Sequence, residues 1–235
     1  NVPWAMVFGN HDDEKGITKA EMIALSRTVP GCLTEAGPPD VPGLGNFVLT
    51  VAGASGPGAS LYFLDSGAYA ANPEGGKDYA WIAPEQIAWY RREAARRRGP
   101  GPLPLPALAF FHIPLPEYDT VWETRPCRGH KYEAVCCPKR NSGFFAALRE
   151  GGDVLGTFVG HAHINDYDGE LDGIRLCYGR GTGYNTYGRE GFPRGARAIR
   201  LREGDRAFES WLRLDDGTVV AEQPLHPPAG KALSP

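Results

Sequence analysis

Three apolar runs, far apart in the chain, each end in a polar step that carries histidine. Residues 4–8 (WAMVF) lead into Gly9-Asn10-His11-Asp12, residues 107–111 (ALAFF) into His112, and residues 155–159 (LGTFV) into Gly160-His161-Ala162-His163. Runs of this length, bounded by turn residues, read as strands. In open α/β sheets ligand groups gather where strands end, so clusters distant in sequence can converge on one site. Four of the six histidines lie at these ends. A single one reads as a polar strand cap, but three clusters together point to a shared site.

The rest of the chain supplies the remainder of such a sheet. Further strands are expected at residues 47–51, 61–64, 174–178, 196–201 and 207–214, the last two forming a hairpin around Glu203-Gly204-Asp205. A helix is expected over 18–29, where Thr18 and Glu21 have capping-box spacing and Pro30-Gly31 supplies the stop. A second is expected over 84–98, with Pro84 in its first turn, and a third over 144–150, ending at Gly151-Gly152. Arg91, Arg92, Arg96, Arg97 and Arg98 fall mainly near the C-terminal end of the second helix, where cations oppose the macrodipole. They read as a solvated helix end in preference to a phosphate- or RNA-binding patch. Pro- and Gly-rich stretches at 31–45 and 99–106 read as surface loops, and neither separates two cores. The expectation is one mixed α/β domain over residues 1–223, followed by a disordered tail over 224–235.

Composition narrows the function. Hydrophobic residues at 42% and charged residues at 23% of 235 fit a folded globular chain. The formal charge of -3 lacks the basic excess of a dedicated nucleic-acid or anionic-membrane surface, so no nucleic-acid partner is expected. No apolar run approaches the length of a membrane span. Compartment and oligomeric state stay open. The donor types at the three strand ends suit a divalent transition metal, because imidazole binds Zn, Fe or Mn and an Asn carbonyl is a neutral oxygen donor. Gly9 and Gly160 fit close backbone turns.

These residues resemble the later motifs of the calcineurin-like metallophosphoesterases. The contexts at 2–4 (VPW), 61–67 (LYFLDSG), 111–118 (FHIPLPEY), Asn141-Ser142-Gly143, Asn165-Asp166-Tyr167 and 176–188 (LCYGRGTGYNTYG) are similar to the purple-acid-phosphatase-like branch found in plants, algae and fungi. The resemblance extends to about Arg200. It implies a sandwich of two β-sheets flanked by helices and hydrolysis of a phosphate monoester at a dinuclear centre of Fe, Mn or Zn ions. It further implies that Asn10, His112 and His161 hold the second metal and His163 the first. His11 faces the phosphoryl or leaving-group oxygen, and Asp12 orients it.

One departure is as informative as the match. The family's front half carries Asp-x-His and Gly-Asp-x-x-Asp motifs, which supply most ligands of the first metal and the aspartate that bridges both. Neither occurs here; Gly152-Asp153 lies late in the chain and Gly204-Asp205 reads as a hairpin turn. The expectation is a C-terminal portion of a longer phosphatase, cut upstream of Asn1, or else a short form acting as a non-catalytic binding or structural module. If the chain is cut, the opening strand at 4–8 should expose an edge where its missing neighbours belonged. Without a bridging carboxylate two dications would repel each other, so at most one weakly held metal is expected.

Secondary candidates are weaker. Cys32, Cys127, Cys136, Cys137 and Cys177 are odd in number, so at least one is unpaired within the chain. Cys127, His130, Cys136 and Cys137 match no common zinc spacing. The resemblance implies that related sequences often carry Cys where this chain has Asp168, which would leave Cys177 without a partner. Residues 179–188 read as a turn after a strand, or alternatively as a substrate-side wall with Tyr184 and Asn185 near the leaving group. Asp65 reads as a turn or cap residue, His130 and His226 as surface residues, and Tyr118 and Trp122 as packing for loops.

Overall fold

A computed structural model describes residues 2–71, 77–99 and 101–228. Its order begins with α1 (Lys19–Ser26), the strands β1 (Phe47–Gly53) and β2 (Gly56–Phe63), and a short ribbon of β3 (Tyr69–Ala71) and β4 (Lys77–Tyr79). Then come α2 (Pro84–Arg96), β5 (Ala107–Phe110), α3 (Glu117–Thr124), β6 (Cys127–Arg128), α4 (Phe144–Gly151) and β7 (Val154–Val159). The last third is strand: β8 (Asp168–Leu171), β9 (Ile174–Tyr178), β10 (Gly195–Leu201), β11 (Phe208–Leu214), β12 (Val219–Val220) and β13 (Leu225–His226).

The main sheet runs β1-β2-β5-β7-β9-β8-β6-β13, and β10-β11-β12 form a second sheet. Neighbours β2, β5, β7 and β9 are parallel, with antiparallel pairs toward both edges. Parallel strands are covered on both faces, which is why β5 (ALAF) and β7 (VLGTFV) are almost continuously apolar and buried. On one face Tyr62, Leu64, Tyr90, Tyr118, Val121, Phe144 and Leu148 pack α2, α3 and α4 onto the sheet. On the other, Leu108, Phe158 and Cys177 meet Ile199, Leu201 and Phe208 of the second sheet. That face carries a run of stacked rings from Phe47 through Phe63 and Phe110 to Phe158, which then tilts against Phe208 at 5.5 Å. Each such pair adds about 0.5–1.5 kcal/mol beyond burial. The mixed α/β class, with a large sheet flanked by helices, is the one the motifs imply.

Several elements differ from their sequence readings. Residues 4–8 do not form a ladder strand. They make a single parallel bridge, Trp4 to Cys32, through Trp4 N–H to Gly31 O at 2.9 Å and Leu33 N–H to Trp4 O at 2.8 Å. An apolar run becomes a strand only when a neighbour continues the pairing, so the exposed strand edge expected there is not found. The tail is ordered at Leu225 and His226, which pair with Arg128 and Cys127 at the sheet edge. His226 stacks on Trp122 at 3.7 Å, while residues 229–235 of the predicted tail lie outside the described residues. The expected capping box is present: Thr18 Oγ1 accepts from Glu21 N–H and Glu21 accepts from Thr18 N–H. Tyr118 is fully buried core, not loop packing, with its hydroxyl 2.8 Å from Thr157 Oγ1.

All five cysteines are free. Cys177 sits directly across from Asp168, whose carboxylate takes Arg175 and Arg197 instead of a second sulfur, and burial pushes the Cys177 thiol up to about 12. Among the described residues no helix is long and apolar enough to cross a membrane.

Candidate metal centre

The parallel pairing of β5 with β7 sets the site. Phe110 lies beside Phe158, so both strands end at nearly the same level, and His112 and His161, each two residues past its strand's end, emerge side by side. Gly160 N–H donates to His112 O at 3.2 Å and locks the two ends together. The segment 8–10 crosses in front, placing Asn10 against both rings with only 2% of its surface exposed.

The three donor atoms form a near-equilateral triangle. Asn10 Oδ1 is 3.0 Å from His112 Nε2 and 3.0 Å from His161 Nδ1, and the two nitrogens are 3.2 Å apart. Three lone-pair atoms at the corners of one small triangle can share a single cation. His161 reaches this position with φ +67°, a left-handed backbone that costs a non-glycine residue about 1–3 kcal/mol and persists where the surroundings over-determine it. Gly9 is required because the His112 ring fills the space a side chain would take: a Cβ on Gly9 would lie 3.0 Å from His112 Cε1.

Both imidazoles are held neutral. Burial first, and then the neighbouring histidines, push His112 down to about 3 and His161 down to about 4, from an ordinary 6.5. Neutral imidazole is the form that binds a metal. At these two positions the unfolded chain therefore binds more protons than the folded one below pH 6.5, and their contribution lowers stability as the pH drops from there toward 3. The metal-free protein should show a urea midpoint declining over that window. A midpoint that holds constant from pH 6.5 to 4 would contradict the neutral, buried state of these rings.

The other expected site residues divide. His163 faces the same cavity, but its Nδ1 is 2.7 Å from Thr186 Oγ1 and its ring stacks on Tyr187 at 4.3 Å, so it stands apart from the triangle. His11 lies on the exposed lip with Nδ1 2.8 Å from Glu14 Oε1. Asp12 is not the carboxylate seen on His11: its Oδ2 accepts from Gly9 N–H at 2.6 Å and closes the turn that presents Asn10. Asn185 lines the cavity, whereas Tyr184 is exposed and bonds Asp215 Oδ2 at 2.7 Å. Asp65 closes a turn, accepting from Gly67 N–H at 2.9 Å and pairing with Lys19 at 2.9 Å. The cavity, about 710 Å³, is also lined by Glu14, Lys15 and Thr186.

Residue reading missed Glu14, Thr186 and two tyrosines, Tyr69 and Tyr79, whose ribbon follows the end of β2. The strand-end rule applied to residues 61–64 would have pointed there. The donor set suits one divalent ion: two neutral imidazoles and a carboxamide. Among the described residues no group of three or more His, Cys, Asp or Glu is arranged to hold a metal; the triangle combines two histidines with an asparagine.

No family model matches the chain. Among curated proteins it is 37% identical to "Probable inactive purple acid phosphatase 29" of Arabidopsis thaliana, over 92% of this chain and 62% of that protein. It is 34% identical to "Probable inactive purple acid phosphatase 14" of the same plant, over 92% of this chain and 60% of that one. It is 34% identical to "Phosphatase DCR2" of Saccharomyces cerevisiae, over 91% of this chain and 40% of the yeast protein. The chain thus spans about three-fifths of the plant relatives. A solved dimetal phosphatase from Danio rerio covers 77% of this chain and 60% of its own, at 12% identity and a TM-score of 0.46.

Proposed function

Over 92% of its length this chain belongs with the purple acid phosphatase-like proteins, and from that premise we propose that it carries the second-metal and leaving-group side of a metal-dependent phosphoesterase. Asn10, His112 and His161 would hold one divalent or trivalent ion (Fe, Mn or Zn), and the donor triangle is the observation that carries this reading. When bound, such an ion neutralises phosphoryl oxygens and lowers the pKa of a water. His163 would complete a first-metal site only with ligands this chain does not supply.

The chain's own groups have separate tasks. With Nδ1 of His11 donating to Glu14, only Nε2 can carry a proton to a leaving oxygen, which requires the imidazolium form. Asp12 acts on the backbone: by accepting from Gly9 N–H it fixes the turn that keeps Asn10 buried while His11 stays exposed. Asn185 and Lys15 line the cavity beside the triangle, where an amide and an ammonium can donate to an anionic ester.

A second reading has its own support. The two plant relatives above carry "inactive" in their names, and among the described residues no group of three or more His, Cys, Asp or Glu is arranged to hold a metal. A metal-binding module without turnover fits that combination.

One experiment separates the outcomes. Purified chain loaded with Mn, Fe or Zn should retain at most one ion, lose it in His112→Ala, and turn over an aryl phosphate slowly or not at all. Unchanged metal content in a folded His112→Ala variant sinks the ligand assignment. Fast, metal-dependent hydrolysis abolished by His11→Ala would show instead that this chain needs no further ligands.

A further inference from the structure

The donor triangle is held in shape by residues outside the motifs that carry it. We propose that the β3–β4 ribbon is the positioning device of the metal centre, with Tyr69 orienting Asn10 and Tyr79 bracing His161; this rests on the single-metal reading above. Tyr69 and Tyr79 are direct partners across the ribbon, and their rings stack at 5.8 Å. One pair of facing residues therefore reaches two of the three donors.

Each contact answers a physical need. Asn10 is buried, so if its carbonyl oxygen faces the two imidazoles its amide nitrogen must find an acceptor elsewhere. The Tyr69 hydroxyl accepts from Asn10 Nδ2 at 3.0 Å. An oxygen turned the other way would present N–H donors to a cation. His161, at φ +67°, needs its ring fixed by packing, and Tyr79 meets it edge-on at 4.6 Å with planes 84° apart. The Tyr69 ring also stands 6.3 Å from that of His11, so the ribbon borders the lip where the proton donor sits.

The ribbon is itself anchored. Ala80 N–H donates to Ala68 O at 3.1 Å, closing its base, and Lys139 N–H donates to Asp78 Oδ2 at 3.1 Å, tying β4 to the segment before α4. Tyr79 N–H donates to Asp78 Oδ1 at 2.8 Å, so one carboxylate holds both. Two tyrosines on so constrained a ribbon act as fixed walls.

Partners that orient metal ligands typically contribute 10–100-fold to metal affinity. With Co(II) as the probe, followed by its visible d–d bands, Tyr69→Phe should weaken binding about 10–100-fold and shift the bands. The ring and its stack remain in that variant, so the loss reports the hydroxyl. Tyr79→Ala should weaken binding, and Tyr79→Phe should not. In the metal-free protein, NMR should show faster exchange of the Asn10 side-chain amide protons in Tyr69→Phe, with an unchanged far-UV spectrum.

The outcomes separate the two layers of the reading. If the unsubstituted chain and His112→Ala both fail to take Co(II), the metal centre itself is wrong and the ribbon's role falls with it. If the chain binds Co(II), His112→Ala loses it, and Tyr69→Phe and Tyr79→Ala keep wild-type affinity and bands, only the ribbon's role is overturned. A Tyr69→Phe variant that unfolds, with Tyr79→Ala folded and binding normally, also overturns it.

Discussion

Replacing Asp166 with alanine should destabilise the chain by about 3–5 kcal/mol. Asp166 is fully buried and pairs with the largely buried Arg180 at 2.5 Å, and it accepts from His130 N–H at 2.7 Å. Arg180 lies over the Phe192 ring and donates from Nε to Pro193 O at 2.7 Å, so it cannot swing out to water when its partner goes. Cutting one side leaves a stranded cation and an amide without an acceptor. Because the pair is shielded from solvent, salt at about 1 M should change the loss little. The double variant Asp166→Ala/Arg180→Met should recover part of it, since removing both charges avoids the unpaired one. Chemical denaturation that finds Asp166→Ala within 1 kcal/mol of the parent would contradict this account. The effect bears on function, because Asn165 and Asp166 tie the chain just beyond His163 to residues 130–133.

The second large effect is expected at Asp153. Its two carboxylate oxygens accept from Tyr62 at 2.8 Å and Tyr90 at 2.5 Å, and both tyrosines are fully buried. Burial and the adjacent carboxylate push both phenols far above their usual range, so they stay protonated donors at every accessible pH. Asp153→Ala leaves two buried hydroxyls unpaired, at about 1–3 kcal/mol each. Adding Tyr62→Phe and Tyr90→Phe should return part of the loss, because an apolar group in that space has nothing left to satisfy. If the triple variant is no more stable than Asp153→Ala, the cost lies elsewhere. The network joins β2, α2 and the start of β7, and so sets the level at which β7 delivers His161.

The site was legible because its donors lie at the ends of buried strands, where apolar runs give way abruptly to Gly, Asn and His. Residues 107–111 and 155–159 could be read as strands since both faces of each are covered, and Thr18 with Glu21 announced a helix start through a purely local bond. What could not be read depends on distant partners. Residues 4–8 carry a strand's composition but form a single bridge, Trp4 with Cys32. Helix α3 starts at Glu117, just after Pro116 and a Pro-rich approach, and its eight residues bury only Tyr118 and Val121, too few for a visible period. Strand β8 (DGEL) has poor strand formers and is held by Asp168 bonding Arg175 and Arg197. Asp12 and Glu14 show the same limit at the site. Both are near His11 in sequence, and only the turn closed by Gly9 N–H decides which one meets the ring.

Gly9 and Gly160 face the His112 ring from two separate segments, with hypothetical side-chain carbons 3.0 and 3.4 Å from its atoms. The imidazole thus sits in a mould whose two walls are encoded far apart in the chain. A side chain on Gly9 would press on the ring, whereas the first carbon of one on Gly160 would meet it at ordinary contact distance. For an engineer this means that the place of the His112 ring is guarded chiefly from the Gly9 side, whereas the cavity's outer rim at Lys15 and Asn185 can be varied one position at a time.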